Sequence, residues 1–193
     1  DTLRRRLSAR MLRHEFTLDK KVKRATAFVC GLGLFEWYLN GAKIGDQVLA
    51  PALSEYDKRA YYMTFDVTSH LKPARNAVAV LLGNGRYFAP RFEKQTRTFG
   101  FPKLLLQINL IYEDDTRGTI VSDASWKITT DGPILANNEY DGEFYDSRKE
   151  LPGWTGPGFD DSAWRHAQLV KQPGKQLSSQ MIEPIRITQT LNP

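Results

Sequence analysis

The most concentrated set of hydrogen-bonding and aromatic residues lies in one long connection, Gly83 to Gly100, with the sequence GNGRYFAPRFEKQTRTFG. Connections of this length in a compact domain are usually functional or disordered. Sugar recognition needs an aromatic ring against the apolar face of the pyranose and planar polar groups for its hydroxyls. The candidate sugar-binding residues of this loop are Asn84, Arg86, Tyr87 and Arg91. The alternative is structural, with the aromatic side chains only pinning the loop.

One pair of residues suggests a cation site. Calcium takes oxygen ligands from carboxylates and amides, and Asp57 and Asn84 supply one of each. We expect a calcium site here only if their two loops converge, and Lys58, directly after Asp57, opposes it. The sequence therefore requires no cofactor and leaves calcium as an option.

The densest acidic stretch runs from Glu139 to Asp146 and is followed by Arg148. An inverting glycosidase needs two carboxyl groups about 6.5 to 9.5 Å apart, one of them with a raised pKa. Asp141 and Glu143 would share one face of an extended strand, but this spacing is also ordinary in a salt-bridged surface hairpin. We interpret Asp141, Glu143, Asp146 and Arg148 as a domain-docking or secondary site and predict no catalytic residue in this chain.

The sequence gives less support to metal binding, to a cysteine nucleophile and to phosphate binding. The three histidines stand far apart without metal-ligand spacing, and Cys30 lies in an apolar strand pattern that favours a small buried side chain. The segment GNGRY lacks the strand-to-helix context and the lysine of a phosphate-binding loop.

The element that organises these candidates is a hairpin between Ala27 and Asp46. Phe35, Trp37 and Leu39 alternate with polar residues, which is the pattern of a half-buried strand. The following pair, Asn40-Gly41, suits the two positive φ angles of a type I′ turn. The pattern predicts an antiparallel hairpin whose apolar face packs on a second layer.

Further short strand patterns follow along the chain, without an amphipathic helix of three turns. They predict an all-β fold, an antiparallel β-sandwich of jelly-roll, galactose-binding-like type with only short helical turns. We expect a single domain over residues 1–180, with a basic lead-in over 1–10. Residues 181–193 are predicted to form an exit strand towards a downstream domain.

The 193 residues carry a formal charge of +5, with a pI near 9.3, which raises nucleic-acid binding as a third hypothesis. The basic residues are concentrated before the hairpin while the later half is locally acidic, so one continuous basic surface is not expected. No apolar run approaches the roughly 20 residues that span a bilayer, and the segment DTLRRRLSAR lacks the apolar part of a signal peptide. A single cysteine leaves the compartment open.

Five segments in a fixed order carry a family resemblance: GLGLFEWYLNGAKIGD, LAPALSEYDKRAYYMTFDVT, NAVAVLLGNGRY, DGEFYDSRKELPGW and FDDSAW. Together they resemble the N-terminal β-sandwich of bacterial α-L-rhamnosidases, glycoside hydrolase family 78. The resemblance implies a multidomain inverting enzyme whose catalytic (α/α)-barrel lies downstream of this chain.

The resemblance thus implies a non-catalytic accessory domain that supports the catalytic barrel. The alternative that it implies is a carbohydrate-binding module for terminal L-rhamnose, with or without calcium. The expected partners are downstream domains of the same polypeptide and, for the alternative, rhamnose-containing glycans; nucleic acid and membranes are not expected. A periplasmic or extracellular bacterial location is implied by the family alone.

Overall fold

A computed structural model of the chain describes residues 7–90, 98–172, 174 and 176–192. These residues form strands and two short 3₁₀ turns, Thr68–His70 and Ser147–Lys149. The strands are β1 Arg10–Leu18, β2 Val22–Leu32, β3 Leu34–Leu39, β4 Ala42–Lys43, β5 Arg59–Asp66, β6 Ala74–Gly83, β7 Lys103–Tyr112, β8 Arg117–Val121, β9 Lys127–Thr129, β10 Ile134–Asn138, β11 Gly142–Tyr145, β12 Arg165–His166 and β13 Gln176–Ser179. The predicted all-β class with short helical turns is confirmed.

The strands are arranged in two main sheets. One has six strands in the order β12-β9-β1-β6-β3-β4, and the other has five in the order β13-β5-β2-β7-β8. A separate two-stranded hairpin is formed by β10 and β11. Pairing is antiparallel except between β13 and β5, which are parallel. The architecture is therefore the predicted β-sandwich, with one parallel pair at an edge of the second sheet.

The core lies between the two sheets. Phe35, Trp37 and Leu39 on β3 are buried and meet Val29 on β2 and Ile108 on β7 in one hydrophobic cluster. The indole of Trp37 lies 5.3 Å, centroid to centroid, from the ring of Phe65. The predicted burial of the hairpin's apolar face is confirmed. Burial of such large side chains is the main favourable term in folding.

Two glycines with a positive φ lie where the chain changes direction, Gly33 between the two sheets and Gly41 in the hairpin turn. Gly33 separates β2 in one sheet from β3 in the other and has a φ of +125°. The predicted tight turn follows, because Asn40 and Gly41 have φ angles of +53° and +87°, and Leu39 pairs with Ala42 across it. Both signs are those of a type I′ turn.

The C-terminal segment differs from the predicted exit strand. Among residues 181–192 the structure has only an isolated bridge between Gln47 and Arg186, beside a hydrogen bond from the Val48 N–H to the Ile185 carbonyl at 2.9 Å. Pro184 has no N–H to donate to a strand ladder, which interrupts pairing at that position. The domain boundary predicted near residue 180 stays a prediction.

Candidate functional site

The loop after β6 begins with Asn84, whose side chain is fully buried. Its amide Nδ2 donates to the carbonyls of Leu7 and Asn137 at 2.6 and 2.7 Å. Its Oδ1 accepts from Arg10 Nη1 at 2.5 Å. Three other residues of the chain therefore already use its polar atoms, and a role of Asn84 in sugar binding stays a prediction. Its oxygen also faces a guanidinium, which opposes a cation at this place.

Tyr87 is buried as well. Its ring centroid lies 5.0 Å from that of Tyr56 and 6.0 Å from that of Phe99. Burial, with a smaller contribution from the charge of Asp57, raises the pKa of Tyr87. Lys103 Nζ lies 5.4 Å from the ring centroid. These contacts correspond to the structural alternative, in which aromatic side chains pin the loop.

Among the candidate sugar-binding residues that the structure describes, Arg86 has a partly exposed side chain. Its guanidinium lies 4.9 Å from the ring centroid of Tyr140, and its Nε lies 3.7 Å from Glu139 Oε2. Its Nη1 is buried without a hydrogen-bond partner among the described residues. Burial, followed by the charge of Glu139, raises the pKa of the nearby Tyr56 to about 12. A role of Arg86 in sugar binding stays a prediction.

Two predictions for this region remain: the role of Arg91 and the calcium site at Asp57 and Asn84. Arg91 lies outside the described residues. Asp57 is close enough to influence the pKa of Tyr87, whereas the Asn84 oxygen is already bonded to Arg10. Within the part of the chain that the structure describes, no three His, Cys, Asp or Glu side chains are grouped to hold a metal ion.

The acidic stretch is divided between a turn, a strand and a capped 3₁₀ turn. Asp141 accepts from Asn138 Nδ2 at 2.7 Å in the turn between β10 and β11, and Glu143 is exposed on β11. Asp146 caps the turn Ser147–Lys149 and accepts from Arg148 Nε at 2.8 Å. The predicted docking or secondary site at these residues stays a prediction.

Sequence reasoning missed a buried cation, Arg13 on β1, which is 1% exposed. Its guanidinium donates to the carbonyls of Trp154 and Gly156 at 3.1 and 2.9 Å and to Glu15 at 2.6 Å, and it also pairs with Asp161. This network holds the segment after β11 against the outer face of the six-stranded sheet. Alternation along β1 signals only that Arg13 faces away from the core.

Cys30 lies in the second hydrophobic cluster, beside Leu32 and Tyr56. Burial raises the pKa of its thiol to about 11. A thiol with such a pKa is a weak nucleophile at neutral pH, so the predicted buried, packing role of Cys30 is confirmed.

Comparison with known families agrees with this geometry. Residues 20–189 match the model of the alpha-L-rhamnosidase N-terminal domain. The chain belongs to this family. An alpha-L-rhamnosidase of Formosa agariphila is 39% identical over 96% of this chain and 20% of its own length. The resemblance carried by the five segments is thus confirmed.

Solved structures give the same result. The alpha-L-rhamnosidase from Dictyoglumus thermophilum is 47% identical, with a TM-score of 0.86 over 94% of this chain and 20% of that protein. The Streptomyces avermitilis alpha-L-rhamnosidase complexed with L-rhamnose is 38% identical, with a TM-score of 0.83 over 95% of this chain and 18% of that protein. The chain spans about a fifth of the length of the curated relatives it matches. None of the described residues lie in a helix long and apolar enough to cross a membrane.

Proposed function

We propose that this β-sandwich is a non-catalytic accessory domain of an inverting α-L-rhamnosidase and that it supports the catalytic unit by packing against other domains of the same polypeptide. Family membership and the small share of each relative that the chain covers support this role. The partner is therefore expected within the same polypeptide.

The observation that carries the docking role is an apolar strip on two adjacent segments. Residues 46–53 and 180–187 lie side by side, joined by hydrogen bonds from the Val48 N–H to the Ile185 carbonyl and from the Ala52 N–H to Gln180 Oε1. Their exposed apolar side chains form the strip: Leu49, Leu53, Met181, Ile182, Ile185 and Ile187.

So many large apolar side chains grouped at one place are unusual on the surface of a domain that works alone. Ile187 is 71% exposed, and covering it would remove apolar area from water at roughly 25 cal/mol per Å². Asp46 and Arg186, paired at 2.8 Å, lie beside the strip as a polar margin. This arrangement, an apolar centre with a polar edge, is typical of an interface.

The test compares one variant in two lengths of chain. In the 193-residue protein, Ile185→Asp combined with Ile187→Asp is expected to change the free energy of unfolding by no more than about 0.5 kcal/mol per site, because both side chains are exposed. In a longer polypeptide that includes the rhamnosidase unit, the same variant should lower the melting temperature and the rhamnosidase activity.

The matched control is Leu169→Asp, which changes a side chain that is 75% exposed and lies outside the strip. The control should behave like the unchanged protein at both lengths. The docking proposal fails if the strip variant and the control melt alike in the longer polypeptide.

A second candidate function is binding of terminal L-rhamnose near Arg86, whose Nη1, beside Tyr140 and Glu139, has no hydrogen-bond partner among the described residues. The complex of the Streptomyces avermitilis relative with L-rhamnose makes this sugar the natural probe. A dissociation constant on the order of 0.1 to 1 mM is expected for one exposed monosaccharide site. Calorimetry with L-rhamnose, with and without calcium, tests both the sugar and the ion at Asp57. Affinity unchanged in Arg86→Ala would remove this candidate.

A further inference from the structure

A cleft of about 460 Å³ lies on the outer face of the six-stranded sheet, on the side opposite the sandwich core. The hairpin β10–β11 forms one wall, and the segment Glu150–Thr155 forms the other. Its floor includes Tyr38 of β3 and Leu81 of β6, which point away from the core. The volume falls within the range of small-molecule sites in proteins.

The walls of the cleft are held in place by bonds to the sandwich. Arg13 Nε donates to the Trp154 carbonyl at 3.1 Å, and the Gly41 N–H donates to the Thr155 carbonyl at 3.0 Å. On the other side, the Ala9 N–H donates to the Ile134 carbonyl at 3.1 Å. A ligand therefore meets a largely formed surface, which reduces the entropy lost on binding.

Aromatic rings and the carboxylate of Glu150 line this cleft. Tyr38 and Trp154 meet edge to face with their ring centroids 6.0 Å apart. The Tyr145 hydroxyl donates to Glu150 Oε1 at 2.6 Å, and the Tyr38 hydroxyl donates to Glu36 Oε2 at 3.0 Å. Both phenol protons are used in these bonds, but each phenol oxygen and each carboxylate keeps acceptor sites, so these groups can accept from the O–H donors of a ligand.

The residue types favour a neutral ligand. The described residues that line the cleft include neither lysine nor arginine, so nothing there would neutralise a phosphate or carboxylate. Aliphatic side chains such as Leu81 and Ile134 lie beside the aromatic rings. A pyranose combines an apolar C–H face with hydroxyls at its rim, and it matches this combination of surfaces.

We propose that the cleft between hairpin β10–β11 and the segment Glu150–Thr155 binds one pyranose unit of a neutral glycan. Tyr38 and Trp154 provide the surface for the ring, and the Tyr145–Glu150 pair hydrogen-bonds its hydroxyls. This site is distinct from the one proposed at Arg86 and does not depend on the docking role of the apolar strip.

The test is calorimetry on the 193-residue protein, with the quenching of tryptophan fluorescence as a second measurement. The probes are the methyl glycosides of L-rhamnose, D-galactose and D-glucose, and choline serves as a competing cationic ligand for an aromatic cleft. At least one glycoside should bind, and choline should not displace it. Tyr145→Ala and Glu150→Gln should each weaken binding about tenfold.

The matched control is Phe144→Ala, since Phe144 is a neighbouring, 64% exposed aromatic residue of the same strand that does not line the cleft. Successive side chains of a strand point to opposite faces, so this variant should bind like the parent. Tyr145 and Glu150 are exposed, and thermal melts should show that their variants fold.

Three results would overturn the proposal. One is the absence of binding by any glycoside up to about 50 mM, where a site with a 1 mM dissociation constant would be nearly saturated. Another is displacement of the sugar by choline. The third is binding that is lost in Arg86→Ala but kept in both cleft variants, which would place the sugar at Arg86.

Discussion

At the residue scale, the guanidinium of Arg13 is a charged group that folding removes from water. A buried charge is tolerated only when it is paired and hydrogen-bonded. Arg13 meets this condition through two carboxylates and backbone carbonyls of the segment that forms one wall of the outer cleft. The same residue therefore stabilises the fold and positions Trp154.

Arg13→Met should lower the free energy of unfolding by about 3 to 5 kcal/mol, because it removes the buried donor that two carboxylates and several carbonyls share. Chemical denaturation measures this change. The matched control is Arg75→Met, since Arg75 also faces Glu15 but is largely exposed and lies 3.7 Å away. The control should cost at most about 1 kcal/mol. Equal effects of the two variants would contradict the central role of Arg13.

Glu15 makes one contribution to the pH dependence of stability. Burial raises the pKa of Glu15, but hydrogen bonds from Arg13 and the Gly158 N–H, together with nearby positive charges, lower it by more. The folded-state pKa therefore lies below the usual 4.5. This carboxylate thus stabilises the fold above pH 4.5, and the contribution is lost as the pH falls through the folded-state pKa.

Glu15→Gln should therefore reduce stability at pH 7 and flatten the loss of stability below about pH 4.5. Denaturation curves across this range, compared with those of Glu143→Gln on the exposed strand β11, measure the effect. A parallel acid limb in the parent and in Glu15→Gln would show that this carboxylate does not contribute.

At the scale of elements, the passage from β2 to β3 decides how the two sheets are connected. Gly33 lies where the chain leaves one sheet for the other, and a Cβ there would lie 2.1 Å from the Gly83 carbonyl oxygen. Gly41 in the hairpin turn also has a positive φ, but a Cβ there would meet nothing within 4 Å. A larger residue at either position would have a strained backbone, whereas only at Gly33 would its side chain also overlap other atoms.

Gly33→Ala should therefore cost about 3 kcal/mol or more, since β3 and β6 must move apart to admit the methyl group. Gly41→Ala should cost only about 1 kcal/mol, the strain of a left-handed residue. Chemical denaturation of both variants gives the comparison. Similar costs would mean that the corner at Gly33 can relax.

At the scale of the whole molecule, the docking role and the sugar-binding role proposed for this domain both concern surfaces for contact. Asp141 accepts a hydrogen bond from Asn138 in a turn, and Asp146 pairs with Arg148. The apolar strip and the aromatic cleft lie on different parts of the surface, so docking and sugar binding are compatible in one domain.

The 193-residue protein is accordingly expected to have no glycosidase activity, because it matches an N-terminal domain and covers only about a fifth of the length of the alpha-L-rhamnosidases that it resembles. An assay with an aryl α-L-rhamnoside measures this. Turnover above the blank that disappears in Glu143→Gln would overturn the assignment and place catalysis within this chain.

The sequence by itself determined the features that depend on neighbouring residues. Alternation marked the buried face of Trp37, and Asn40-Gly41 marked the hairpin turn, because side-chain period and backbone sterics act over a few residues. The order of five motifs likewise identified the family, since motif order is written along the chain.

Only the tertiary structure decided which residues of the predicted sugar-binding loop are buried. Asn84 is buried because Leu7, Arg10 and Asn137, far away in sequence, supply its hydrogen-bond partners. The outer cleft has the same origin, since Tyr38 and Trp154 come together through the network of Arg13. Such contacts depend on how the sheets and the segments that cover them pack, and no local pattern of residue types encodes that packing.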